Sequence, residues 1–258
     1  MNPLRDTVER FTDRVADYAR HRPHYPAALL DLLTQRCGFT PAWTVADIGA
    51  GTGILTELLL RNGNAVYAVE PNDAMRAVAE QTLAPLPHFH SSNGRSEATG
   101  LPDASIDLVV AGQAFHWFEP VATRREFRRI LRPDGWVALV WNSRRNAGTP
   151  FLAAYQQLLD DFGTDYRQVD HQQVVDEEAL ARFYGGPYTV DTLPNQQVLD
   201  LEGLAGRVFS TSYMPGIGDP RRTPAQARLE EIFAAHAVAG RVVMEYDTKL
   251  YLGRLASS

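Results

Sequence analysis

Val45-Ala-Asp-Ile-Gly-Ala-Gly-Thr-Gly-Ile-Leu55 is the stretch that decides how this chain folds. Its first residues are a short apolar run ended by glycine, the pattern of a buried strand entering a turn. Leu55, Leu58 and Leu59 then recur at helical spacing, which predicts a helix over Gly53–Arg61. Gly49 and Gly51 let the backbone turn sharply and approach a ligand with no side chain between them, and Gly53 lets the helix pack close to the strand. The unpaired N–H groups of the helix N-terminus face the same ligand. A dinucleotide fingerprint is spaced G-x-G-x-x-G, but here the glycines stand at 49, 51 and 53 and position 54 is Ile. Asp47 precedes the first glycine. A carboxylate there suits a ligand with a cationic amino-acid end better than a pyrophosphate.

Outward from this centre, strands and helices alternate. Strand-like runs are Ala65–Val69, Ile106–Ala111 and Trp136–Trp141, with a weaker one at His88–Ser92. Helices are predicted over Asn72–Leu83, opened by the capping pair Asn72 and Asp73 with Met75, Val78 and Ala79 on one face, and over Val121–Leu131. Such alternation specifies a parallel sheet covered on both faces. Arg124, Arg125, Arg128, Arg129 and Arg132 are read as one solvated face of the second helix. The second strand ends in Glu70, placed to accept hydrogen bonds from both hydroxyls of a ribose. After Asn142 the pattern changes. Phe151, Tyr155, Leu158, Leu159 and Phe162 make an amphipathic helix, and another follows at Asp176–Tyr184 before the Gly185-Gly186-Pro187 break. A strand at Thr189–Leu199, helices at Leu201–Tyr213 and Thr223–Ala239, and a last strand at Arg241–Leu252 complete the reading.

Composition bounds the function. The 258 residues are 45% hydrophobic and 22% charged, an ordinary globular mixture. The net charge of −6 argues against a nucleic-acid enzyme, which carries a basic footprint. Nearly all positive charge is arginine, Lys249 being the only lysine. Cys37 is the only cysteine, which leaves no intramolecular disulfide and no multi-cysteine metal site. No apolar run reaches membrane-spanning length and Met1–Arg20 has no signal-like apolar core, so a cytoplasmic protein with no membrane or nucleic-acid partner is expected.

Taken together, these residues resemble the class I S-adenosylmethionine-dependent methyltransferases over most of the chain. Asp47–Gly53 is similar to their first motif and Glu70 to their ribose-binding acid. Gly94–Pro102 is similar to the adenine-pocket segment, Ile106–Phe118 to the fourth strand and its loop, and Leu131–Val137 to the turn into the fifth. Tyr18–Pro26 is similar to the subgroup containing trans-aconitate methyltransferase-like proteins. The resemblance implies a Rossmann-like α/β fold: a doubly wound, seven-stranded, mostly parallel sheet with an antiparallel last strand and a helical lid insertion. It implies one domain made of an N-terminal lid segment (1–26), a cofactor core (27–142), a helical insertion covering the carboxyl edge of the sheet (143–186) and the rest of the sheet (187–258). S-adenosylmethionine is the implied cofactor, held by Asp47, Gly49, Ala50, Gly51, Gly53, Glu70, Pro71, Met75, Ser96, Glu97 and Gln113. Arg95 stands where the family often has an acid, which moves adenine recognition to backbone atoms at Ser96. Tyr18, Arg22, Tyr25 and Trp117 are implied on the substrate or lid side. His116, in the loop after the fourth strand, is the candidate general base toward a small-molecule acceptor, and no metal constellation appears. Two other readings stay open: a non-methylating protein of the same fold, and a nicotinamide-dependent reductase that the glycine spacing disfavours.

Overall fold

The computed structural model describes residues 21–164, 177–211 and 213–256. In chain order these form α1 (Ala28–Cys37), β1 (Thr44–Ile48), α2 (Ile54–Arg61), β2 (Ala65–Val69), α3 (Asp73–Leu83), β3 (Phe89–Ser92), β4 (Ile106–Gly112) and a 3-10 turn at Phe115–Trp117. Then come α4 (Pro120–Ile130), β5 (Leu131–Arg144), α5 (Pro150–Phe162), α6 (Glu177–Tyr184), β6 (Tyr188–Leu199), α7 (Leu201–Phe209), α8 (Arg222–His236) and β7 (Val242–Gly253).

The strands make one seven-stranded sheet in the order β3-β2-β1-β4-β5-β7-β6. The first five are parallel, and β7 runs antiparallel to both neighbours. This is the expected Rossmann-like sheet: the alternation of elements predicts its parallel part, and the family resemblance implies the antiparallel last strand. The order reverses between β1 and β4, so the crevice at their carboxyl ends is where an open sheet of this kind binds ligands.

Each sheet face is buried by its own cluster. Ile48, Val109 and Leu139 pack with Phe127 of α4 and Leu180, Phe183 and Tyr184 of α6. Val45, Leu108, Val140 and Leu250 pack with Leu29 and Leu33 of α1 and Leu55 and Leu59 of α2. A third cluster joins Leu152, Tyr155 and Leu159 of α5, Leu204 and Val208 of α7, and Leu229 and Ile232 of α8 to Val242, Met244 and Tyr246 of β7. β5 ends where Arg144 pairs with Tyr246, and past the Arg145 N–H bond to the Glu245 carbonyl Val242–Met244 pair with β6 alone and overhang the carboxyl end of β5. α5, α7 and α8 therefore stand on this overhang beside the ligand-binding edge, while α6 lies on the opposite cluster next to α4.

Three local expectations are corrected. β5 begins at Leu131, not Trp136, because Leu131 pairs with Ile106 ahead of a register shift between Ile106 and Leu108. Arg132 consequently belongs to β5 rather than to α4, and its guanidinium bonds Asp107. α7 ends at Phe209 rather than Tyr213: Ser210 Oγ donates to the Arg207 carbonyl at 3.1 Å and Thr211 Oγ1 to the Val208 carbonyl at 2.6 Å, taking acceptors that a longer helix would use.

Candidate active site

The glycine loop is folded against the end of β2. Gly49 and Ala50 both donate to the Val69 carbonyl, at 2.8 and 3.2 Å. Gly49, Gly51 and Gly53 take φ of 70°, 59° and 87°, in the left-handed region that L side chains rarely adopt. The three serve different ends. A Cβ on Gly49 would come within 2.7 Å of Ala114 Cβ, and one on Gly53 within 2.5 Å of Leu83 Cδ1, so these two glycines allow close packing of the loops and α3. A Cβ on Gly51 would meet only Met75 Sδ, at 3.9 Å, so the space before Gly51 is open.

Glu70 closes the other side. It is 7% exposed, and its two oxygens accept separately: Oε2 from Gly51 N–H at 2.9 Å and Oε1 from Asn72 N–H at 2.8 Å. These bonds orient the carboxylate and leave each oxygen a further lone pair. Burial pushes its carboxyl upward, and the Asn72 and Gly51 N–H groups and the Arg76 charge oppose that. Asn72 also caps α3, its Oδ1 accepting from Met75 N–H at 3.0 Å, which sets Met75 behind the loop.

Asp47 lies beneath, 1% exposed, with Oδ2 accepting from Thr56 Oγ1 at 2.6 Å. Its Oδ1 is buried without a hydrogen-bond partner among the described residues. Burial pushes the Asp47 carboxyl up to about 7, the Thr56 bond opposing and the Glu70 charge adding. A carboxyl raised in the folded state from 3.8 to about 7 stabilises the fold at low pH and loses that contribution as pH climbs through about 7. Asp47→Asn keeps the acceptor for Thr56 but removes the charge. The ligand-free variant should therefore gain on the wild type by about 2–4 kcal/mol between pH 4 and 8. Chemical denaturation across that range measures it, and a pH-independent difference would contradict the assignment.

The remaining walls come from the loops after β3 and β4. Arg95 and Ala98 exchange backbone hydrogen bonds at 3.1 Å, holding Ser96 and Glu97 at a turn. Ser96 is buried, its Oγ donating to Glu97 Oε2 at 2.8 Å and accepting from Thr123 Oγ1 of α4 at 3.0 Å. Glu126, one helical turn on from Thr123, accepts from Thr99 N–H at 2.9 Å and Thr99 Oγ1 at 2.6 Å and pins the far end of the same loop. The Arg129 guanidinium holds the Glu126 carboxyl down at about 2 against the effect of burial, with Thr99 adding to the depression. Sequence reasoning missed Glu126. The only signal was its place on the apolar side of α4, beside Phe127 and Ile130.

Gln113, just past β4, has φ 57°, a strained value outside glycine. Its N–H donates to Val140 and its Nε2 to the Asn142 carbonyl, at 2.9 and 3.1 Å, while Oε1 is buried without a partner among the described residues. His116 sits in the 3-10 turn that follows, its ring 4.5 Å from that of Trp117, with both imidazole nitrogens shielded from solvent. Ala114 and Phe118, on either side of it, both lie against Gly49, so this turn rests on the glycine loop. Trp117 is 38% exposed.

Of the expected lid residues, Tyr18 lies outside the described residues. Arg22 and Tyr25 are half-buried, and the Tyr25 hydroxyl occupies the space that a Cβ on Gly112 would need, 2.5 Å away. Three amides that sequence reasoning missed hold this N-terminal segment to the sheet. Asn195 Nδ2 and Asn142 Nδ2 donate to the His24 carbonyl at 2.7 and 3.4 Å, and Gln197 Nε2 to the His21 carbonyl at 3.1 Å. Asn142 Oδ1 in turn accepts from Thr248 Oγ1 at 2.5 Å.

The chain also resembles known proteins. Residues 46–139 match the family model described as a methyltransferase domain. An uncharacterised methyltransferase of Mycobacterium tuberculosis (strain ATCC 25618 / H37Rv) is 33% identical over 241 residues, 90% of this chain and 88% of the relative. A methyltransferase-like protein of Schizosaccharomyces pombe is 28% identical over 229 residues, 87% of this chain and 86% of its own length. The chain belongs to the methyltransferase family. Among solved structures, a protein named as a type II methyltransferase from Anaeromyxobacter dehalogenans superposes with a TM-score of 0.67 at 25% identity, covering 92% of this chain and 99% of that one. The same fold also appears in the [4+2]-cyclase SpnF, with a TM-score of 0.54 at 16% identity over 97% of this chain and 96% of the cyclase. No helix among the described residues is long and apolar enough to cross a membrane.

Proposed function

We propose that the chain transfers a methyl group from S-adenosylmethionine to an oxygen, a carboxylate in particular, of a small-molecule acceptor. The observation that carries this is Glu70 fixed by the N–H groups of Gly51 and Asn72 beside the open face of Gly51. A carboxylate so oriented suits the two hydroxyls of a ribose, and the bare loop suits close approach of the ligand's backbone-like end. The unpartnered oxygens of Asp47 and Gln113 supply acceptors for an ammonium group. Bound there, the cofactor would supply an activated methyl on a positively charged sulfur.

The protein's share is then mostly positioning and exclusion of water. Met75 and the Ser96–Thr123 pair would flank the adenosine. The 3-10 turn carrying His116, together with Tyr25 over Gly112, would shape the space for the acceptor. His116 would remove a proton from a hydroxyl acceptor, whereas a carboxylate acceptor needs only orientation. Incubation with methyl-labelled S-adenosylmethionine and a panel of small acids and alcohols tests the reading. Label on an acceptor oxygen with release of S-adenosylhomocysteine is the expected result. Tight cofactor binding without label transfer to any acceptor would favour the non-methylating reading, for which the cyclase of the same fold is a precedent.

A further inference from the structure

Arg207 is a buried cation to which the described residues bring no anion. It stands on α7 at 6% exposure, between Leu204 and Val208 of the third cluster. Its Nε donates to Tyr246 Oη at 3.3 Å, and Tyr246 Oη donates to Gln197 Oε1 at 2.6 Å. Its Nη1 is buried without a hydrogen-bond partner, and no carboxylate pairs with it among the described residues. Burial works against its charge, and the groups that favour the charge are the phenols of Tyr246, Tyr155 and Tyr213. Phenols, unlike carboxylates, carry no charge at neutral pH. A buried guanidinium that faces only neutral partners is destabilising for the fold. Departures of this kind are expected at functional sites.

The position of Arg207 says which ligand. Tyr246 pairs with Arg144 and Thr248 with Asn142, in successive rows on one sheet face, about 7 Å apart at the usual rise of a strand. The Asn142 carbonyl accepts from Gln113 at the end of β4, and Asn142 Nδ2 bonds the His24 carbonyl beside Tyr25. Polar groups of Gln113, Asn142, Thr248 and Tyr246 thus stand in succession between the end of β4 and Arg207, which lies in the third cluster under α5 and α7. Tyr155 of α5, 1% exposed, walls this end, with Arg144 stacked 4.9 Å over its ring.

We propose that Arg207 anchors a carboxylate of the methyl acceptor, a small organic acid, in a subsite formed with Tyr246 and Tyr155. This rests on the methyl-transfer reading above and narrows its substrate class. The planar fork of arginine matches a carboxylate, and the apolar walls strengthen the pairing. A neutral acceptor is rejected because it leaves the charge uncompensated.

The test uses the full chain saturated with S-adenosylhomocysteine and follows thermal unfolding with succinate, citrate, succinamide or inorganic phosphate at matched ionic strength. Saturable stabilisation by at least one carboxylate is expected, none by succinamide, and weaker stabilisation by phosphate. Arg207→Met should weaken the carboxylate effect at least tenfold in apparent affinity while leaving the ligand-free midpoint unchanged or raised, because it removes a buried charge that nothing neutralises. Should that variant fail to fold, Arg207→Lys gives the same comparison, with partial retention expected. Carboxylates that protect wild type and variant equally, or none that protects the wild type, or phosphate protecting as well as they do, would overturn the subsite. Titration of S-adenosylhomocysteine alone separates the two levels: its failure to bind wild type sinks the methyl-transfer reading, whereas normal binding with no carboxylate effect sinks only the role of Arg207.

Discussion

Gly51→Val should lose at least about a hundredfold in affinity for S-adenosylmethionine and S-adenosylhomocysteine while still folding. Two effects combine. Position 51 has φ 59°, where an L side chain costs about 1–2 kcal/mol, more for a β-branched one. That cost falls on stability and loop order. The second effect falls on the ligand alone: an added Cβ meets nothing in the protein nearer than Met75 Sδ at 3.9 Å, so the valine methyls would project into the space the ligand needs. Gly51→Ala separates them. It should show a similar loss of stability but a much smaller loss of affinity. Calorimetric titration alongside chemical denaturation measures both, and a folded Gly51→Val that binds as the wild type does would remove this loop from the site.

His116→Ala should lower kcat by ~10²–10⁴ on an acceptor that must give up a proton, the ordinary worth of a positioned general base. On a carboxylate acceptor the same change should mainly raise KM, because only a positioning contact is lost. Affinity for S-adenosylhomocysteine should stay nearly the same in either case, since His116 belongs to the turn above Gly49 and not to the loop that faces the ligand. The split between kcat and KM thus reports which oxygen is methylated. Wild-type kcat and KM in the variant would return His116 to a packing role against Trp117.

What was legible in the sequence was whatever depends on neighbours in the chain. The strand–loop–helix at Val45–Arg61 could be read because positive φ and close approach demand glycine at fixed positions. The end of β2 could be read because an acid stands just beyond an apolar run and beside a capping Asn72. The start of β5 was missed because Leu131 pairs with Ile106 before an irregularity that only the partner strand defines. The end of α7 was missed because helix periodicity does not register Ser210 and Thr211 turning back on their own helix.

Residues whose role depends on distant partners were the least visible. Glu126 reads as one more charge on a helix until Thr99 is found against it. Asn142, Asn195 and Gln197 are ordinary strand residues until His21 and His24 lie across them. Arg207 looks like a cation of an amphipathic helix, and only the fold buries it among tyrosines. The residues proposed for the cofactor, in the glycine loop and at the end of β2, are local in sequence and could be picked out there. The proposed acceptor subsite draws on Arg207 of α7, Tyr155 of α5 and Tyr246 of β7, far apart in the chain, and no motif marks those three residues.

The central claim is that Gly49–Gly53 and Glu70 hold the adenosyl cofactor, and one calorimetric comparison tests it most directly: S-adenosylhomocysteine and NAD titrated separately into wild type and Glu70→Ala. The account predicts one S-adenosylhomocysteine per chain, no measurable NAD binding, and a loss of about 1–3 kcal/mol in the variant, the cost of leaving ribose hydroxyls without their charged acceptor. NAD binding as tight as S-adenosylhomocysteine, or an unchanged affinity in a folded Glu70→Ala, would contradict it.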